Sequence, residues 1–88
     1  MTERNTLLEF PCDFPLKVMG ATRTGFAQAV VDVVLKHAPD FDAATVDMRP
    51  SRAGNYLSVT CVVRATSTSQ LDALYQELVA HPWVKIVL

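Results

Sequence analysis

Tyr56-Leu57-Ser58-Val59-Thr60-Cys61-Val62-Val63-Arg64 decides the fold. Leu57, Val59, Cys61 and Val63 alternate with Tyr56, Ser58, Thr60, Val62 and Arg64. A period of two marks a strand with one covered face and one open face. It places Cys61 in the core as a small hydrophobe. Ser67-Thr68-Ser69-Gln70 follows, with the spacing of a capping box. Leu71, Leu74, Tyr75, Leu78 and Val79 then recur at helical spacing until Pro82 stops the helix. Trp83-Val84-Lys85-Ile86-Val87-Leu88 reads as a short final strand.

Upstream, Arg52-Ala53-Gly54-Asn55 is a turn signal. Before it, Val46 and Met48 alternate with Thr45, Asp47 and Arg49, and Pro50 demotes that segment to an edge strand. The first strand is expected over 14–20. Phe14, Leu16 and Val18 face one way, Lys17 and Met19 the other, and the strand stops at Gly20. Thr24 or Thr22 is expected to cap a helix near 24–38. Its inner stripe is Phe26, Ala29, Val30, Val33, Val34 and His37. Gln28, Asp32 and Lys36 form a narrow polar stripe, with Asp32 before Lys36 in the favourable i,i+4 order. Pro39 ends the helix. Residues 1–13 read as a tail with a docking segment, in which Leu7, Leu8 and Phe10 are apolar and Pro11 with Pro15 keeps the chain extended.

The order β-α-β-β-α-β predicts an α+β, ferredoxin-like domain over 14–88: a four-stranded antiparallel sheet with both helices on one face. Strands 1 and 3 are central. Strands 2 and 4 are edges, and strand 4 has Lys85 as its only guard.

A chain of 88 residues is one domain, able to hide about 64% of its unfolded surface. That suffices for one modest core, not for a core plus a deep walled site. Half the residues are hydrophobic and 19% charged, which is a globular balance. Net charge is −1, which argues against bulk attraction to nucleic acid or anionic membrane. Met1 to Thr6 is polar and lacks the apolar core of a signal peptide, and no window is apolar enough to span a bilayer. Cys12 and Cys61 are too few for a disulfide framework and read as reduced thiols, with a Cys12–Cys61 bridge as the alternative, so the expected compartment is the cytoplasm.

Reactive groups are sparse. His37 and His81 sit where cations favour helix C-termini, with no acid or nucleophile adjacent in sequence. Cys12, Cys61, His37 and His81 are scattered, so no metal site, cofactor or catalytic residue is expected. Asp40 and Asp42 read as a solvated loop. The candidate ligand loop is Gly20-Ala21-Thr22-Arg23-Thr24-Gly25. It runs from a strand into a helix N-terminus, where unpaired N–H groups and Arg23 suit a small carboxylate. Gly20, Arg23, Thr24 and Gly25 carry that reading. The candidate partner face is the open side of the sheet, with Lys17, Met19, Arg49, Thr60, Val62 and Arg64. RNA-recognition sheets stack bases on central-strand aromatics. Here only Tyr56 is aromatic, so no nucleic-acid partner is expected.

Leu7-Leu8-Glu9-Phe10-Pro11, Lys17-Val18-Met19-Gly20, His37-Ala38-Pro39, Gly54-Asn55-Tyr56 and the final Val87-Leu88, at these spacings, resemble the YbeD-like family of small uncharacterised bacterial proteins. The resemblance spans residue 7 to the end. It implies a ferredoxin-like fold similar to ACT domains, and a loose link with lipoate metabolism. It implies no catalytic residues. ACT ligand sites lie at the loop after strand 1, which here is Gly20 to Gly25. The acidic and Pro-Gly elements of amino-acid-binding ACT loops are missing from it.

The expected function is a non-enzymatic regulatory or adaptor module that works by contact with a protein partner or by weak self-association. The alternative is an ACT-type sensor of a small carboxylate. A small hydrolase ranks last.

Overall fold

The computed structural model describes residues 9–88. Its strands are β1 (Cys12–Ala21), β2 (Asp47–Pro50), β3 (Tyr56–Ala65) and β4 (Val84–Val87). Its helices are α1 (Phe26–His37) and α2 (Thr68–Ala80), and a 3-10 turn covers Ala43–Thr45. The antiparallel sheet has the order β2-β3-β1-β4. This is the expected ferredoxin-like arrangement. Inward residues of the strands, Leu16, Val18, Val59, Cys61, Val63 and Val87, form one buried cluster with Phe26, Val30 and Val34 of α1 and Leu74 and Leu78 of α2. Both helices therefore cover the same face. Burial of that face is the main stabilising term.

β1 is longer at both ends than the expected 14–20. It pairs with β3 without a break, from Cys12 opposite Ala65 to Ala21 opposite Tyr56. The ladder partner, not the local apolar period, sets its length. β1 thus starts inside the expected tail. Leu7 and Leu8 of the expected docking segment lie outside the described residues.

α1 starts at Phe26, not near 24, and neither Thr24 nor Thr22 caps it. Gly25 occupies the N-cap with φ 86°, and no side chain caps the first turn. The chain turns sharply there, with the Phe26 N–H donating to the Arg23 carbonyl (3.2 Å). That left-handed backbone suits glycine. α2 starts as expected. Ser67 Oγ accepts from the Gln70 N–H (3.1 Å), and Gln70 Oε1 accepts from the Thr66 N–H (2.7 Å). Gln70 Nε2 also donates to the His37 carbonyl (2.9 Å), tying the start of α2 to the end of α1. Leu74 and Leu78 are buried, but Tyr75 and Val79 are half exposed. The inner stripe of α2 is narrower than its periodicity because, among the described residues, no strand lies beyond β4.

Lys36 does not pair with Asp32. It reaches Glu77 of α2 (2.6 Å), while Asp32 accepts from Gln28 (2.8 Å). His37 Nε2 meets the other Glu77 oxygen at 2.7 Å. One carboxylate with two donors outcompetes a single exposed pair on α1. Asp42 is not merely solvated, since its side chain accepts from the Ala44 N–H at the start of the 3-10 turn.

β4 meets β1 through an irregularity. Val18 faces Val87 and Met19 faces Ile86, but Gly20 faces Val84, leaving Lys85 as the extra residue of a bulge. At Gly20 a Cβ would collide with the Trp83 carbonyl and lie 2.8 Å from the Phe26 ring. Glycine is needed there for close approach. Both cysteines are free. Cys12 lies opposite Ala65, four residues along β3 from Cys61, which faces Leu16. That separation of about 13 Å exceeds what a disulfide spans. Burial pushes the Cys61 thiol up to about 11, so it stays protonated and unreactive at neutral pH.

Candidate functional site

The open face of the sheet is built by the same alternation that builds the core. Antiparallel register lines its residues into rows across the strands. One row runs Arg49, Ser58, Met19, Ile86, and the next runs Asp47, Thr60, Lys17. Beyond them Val62 sits opposite Pro15, and Arg64 opposite Asp13. All six expected face residues, Lys17, Met19, Arg49, Thr60, Val62 and Arg64, are thus brought onto one surface.

The bulge at Lys85 adds a feature that sequence reasoning missed. It leaves Val84 and Val87 packed against the core while Ile86, half exposed, falls beside Met19. Met19, Tyr56, Lys85 and Ile86 line an open groove of about 490 Å³. A second groove of about 240 Å³ adjoins it, lined in part by Lys17, Met19, Arg49 and Tyr56. Leu88 continues the ladder beyond β4, exchanging backbone hydrogen bonds with Lys17 (2.8 and 3.2 Å), and is 67% exposed. An unbroken alternation would have shown Lys85 outward without revealing Ile86, because a bulge depends on the partner strand.

Charge on this face is sorted. Asp47 pairs with Arg49 (3.1 Å) and Asp13 with Arg64 (3.5 Å). Lys17 and Lys85 have no carboxylate within ion-pair distance among the described residues. Toward β4 the face is therefore apolar beside Lys17 and Lys85, which form no ion pair among the described residues.

The candidate loop at Gly20 to Gly25 is a different kind of place. The Arg23 guanidinium lies 4.1 Å over the Trp83 ring, a cation–π contact. Trp83 in turn packs edge-on to His81, whose Nδ1 accepts the Trp83 N–H (3.0 Å). His81 thus closes the turn after α2 as a half-buried partner of the Trp83 backbone. The Thr22 N–H donates to the Asn55 carbonyl (2.9 Å), which ties the loop to the β2–β3 turn. Gly20 is buried against the Trp83 carbonyl and the Phe26 ring, whereas Arg23, Thr24 and Gly25 are exposed. Of the four expected loop residues, one seats β4 and three frame the start of α1. Nothing in the local sequence around Pro82 signals that Trp83 would stack on Arg23.

Among the described residues, no group of three or more His, Cys, Asp or Glu side chains could hold a metal ion. No described helix is long and apolar enough to cross a membrane. Among the described residues, Glu77 with Lys36 and His37 forms a titratable cluster that joins the two helices. Hydrogen bonds from Lys36 and then His37 hold the Glu77 carboxyl below its ordinary value.

Residues 5–88 match the family described as a protein of unknown function, DUF493. A UPF0250 protein of Nitrosomonas europaea is 53% identical over all 88 residues, covering the whole of both chains. A UPF0250 protein of Bordetella pertussis is 57% identical over 83 residues, covering 94% of this chain and 91% of that one. Among solved structures, protein HP0495 of H. pylori superimposes with a TM-score of 0.74 at 13% identity, over 92% of this chain and 85% of that one. The ACT domain of GTP pyrophosphokinase from Chlorobium tepidum gives 0.66 at 18% identity, over 88% of this chain and 97% of that one. At these identities the two structures speak for the fold.

Proposed function

Since the chain belongs to the YbeD-like DUF493 (UPF0250) family of small bacterial proteins, whose function is unknown, we propose that it is a non-enzymatic regulatory or adaptor module, acting in the cytoplasm through protein contacts on its open sheet face. One observation carries the reading. The open-face row Arg49, Ser58, Met19, Ile86 ends in two apolar side chains that no described element covers, beside two lysines that have no carboxylate partner among the described residues. Apolar surface rimmed by charge is the form that protein-binding patches take.

The test is capture of a partner from native cytosol by the tagged full chain, followed by mapping of its footprint. The link with lipoate metabolism that the family resemblance implies makes lipoylation enzymes the first proteins to look for. Ile86→Glu and Val62→Glu change exposed side chains, so the fold should survive. Loss of the partner from these variants supports the reading. Retention by both variants refutes it.

A second reading, an ACT-type carboxylate sensor, is favoured by one observation. α1 starts without a capping side chain or an acidic residue in its first turn, with Arg23 beside it. Titration with amino acids or short acyl acids should then move the backbone amides of Ala21 to Phe26, and Arg23→Ala should abolish the movement. Still amides up to tens of millimolar ligand, about the weakest useful affinity on the usual energy scale, leave the loop as a turn.

A further inference from the structure

We infer that the outer edge of β4 takes up an extended segment of a partner protein, apolar residues interspersed with carboxylates, which adds to the sheet as a fifth strand. The inference rests on the adaptor reading and narrows it to one edge and one kind of partner.

The two edges of the sheet are guarded differently. β2 ends in Pro50, which has no N–H to offer, and carries the Asp47–Arg49 ion pair on its exposed side. Proline and charge are the usual blunting devices of an edge. Among the described residues, β4 pairs with β1 alone. Lys17 and Leu88 exchange both backbone hydrogen bonds. By the antiparallel alternation, Val87, one residue along, turns its N–H and C=O away from β1. That carbonyl accepts a bond from the Tyr75 hydroxyl of α2 at 3.3 Å, a long one. An incoming strand would replace this weak latch with a ladder bond.

Side chains on both sides of the edge suit such a strand. On the open side, the row Arg49, Ser58, Met19, Ile86 stops at a half-exposed isoleucine. A fifth strand would place an apolar residue beside it, at about 5 Å between Cβ atoms. On the helix side, Tyr75, whose hydroxyl reaches β4, and Val79, one turn further along α2, are half exposed. A second apolar residue would cover them. The charge selects the partner, because Lys17 and Lys85 lack carboxylates among the described residues while Asp13 and Asp47 are engaged at the far end of the sheet. A second copy of the chain would bring its own Lys17 and Lys85 to the seam. Like charges facing one another across a strand pair are destabilising. An acidic, apolar segment meets the two lysines with opposite charge.

The probe is an extended Val/Glu peptide added to the full chain. Its controls are the same peptide with Lys for Glu and the same peptide with N-methylated backbone amides. The readouts are amide shifts and hydrogen exchange. The Val/Glu peptide should slow exchange at Val87 and shift Val84 to Leu88. The Lys peptide and the N-methylated peptide should bind at least about tenfold more weakly, since strand addition depends on main-chain bonds and charge match. Lys17→Glu with Lys85→Glu should reverse the peptide preference. Tyr75→Phe removes only the competing hydroxyl and should tighten binding about two- to fivefold. Equal binding of the Lys or N-methylated peptide overturns the proposal, as does an unchanged Val87 amide up to millimolar peptide. Self-pairing through β4 seen by light scattering replaces the partner segment with a second copy. A captured partner whose footprint lies on Val62 and Arg64 and spares β4 overturns this inference but leaves the adaptor reading standing. Insensitivity of the captured partner to every open-face and edge variant removes both.

Discussion

The two faces of β3 are one residue apart in sequence and opposite in behaviour. Val59, Cys61 and Val63 are fully buried under α1 and α2, whereas Val62 is half exposed on the open side. The apolar character of Val62 and Val63 is the same. What separates them is whether a helix lies above. A valine under a helix contributes to stability, and a valine on the open face is available for contact. In the proposed reading, stability and recognition are carried by alternate residues of the same strands, so each can change with little effect on the other.

The strongest way to break this separation is to cut into the covered face. Leu74 is 1% exposed between α2 and the sheet, and Leu74→Ala should cost about 2–5 kcal/mol in denaturant unfolding. A loss no larger than that of an open-face variant would show that the helix layer is not the core. Next comes the junction of the two faces. Gly20→Ala sets a Cβ against the Trp83 backbone and should cost about 1–3 kcal/mol. Loss of Val84 to Leu88 amide protection should accompany it, because the same contact seats β4. Ser67→Ala removes the cap of α2 and should cost about 1 kcal/mol.

Smaller effects sharpen the comparison. Hydrogen bonds from Lys36 and then His37 lower the Glu77 pKa in the folded state below its ordinary 4.5. The unfolded chain therefore binds this proton more readily. The contribution of Glu77 is full above 4.5 and is lost as pH falls through the lowered folded value. Glu77→Gln should flatten the acid side of the stability–pH curve, read from urea midpoints. An unchanged acid slope would mean that the helices are held by packing alone. The smallest effect is on the open face. Val62→Ser should change stability by less than about 0.5 kcal/mol. A larger loss would mean that this face is covered in the native state, by self-association or by the N-terminal segment.

Element type and order were legible in the sequence wherever a local period was clean, as in Tyr56 to Arg64 or Leu71 to Leu78. The Ser67–Gln70 cap was legible because it closes within one helical turn. The α1 start was misread because Thr24 is a good capping residue in isolation, while the sharp exit from β1 needs the left-handed Gly25. The candidate face was legible to the same degree as the strands that form it. Ile86, Leu88 and the Tyr75 latch were not, since each depends on how β4 sits against its neighbours.

Alternation, helical spacing and proline placement, all local quantities, determined a four-stranded sheet with two helices on one side. Which residues end beside one another at its edges was decided only in three dimensions. The bulge at Lys85 forms because Gly20 lets the Trp83 backbone approach. The stacking of Arg23 on Trp83 joins residues sixty positions apart. The transfer of Lys36 from Asp32 to Glu77 joins residues forty-one apart. Such contacts form between elements already placed by core packing. Their energies depend on distances that no short stretch of sequence contains.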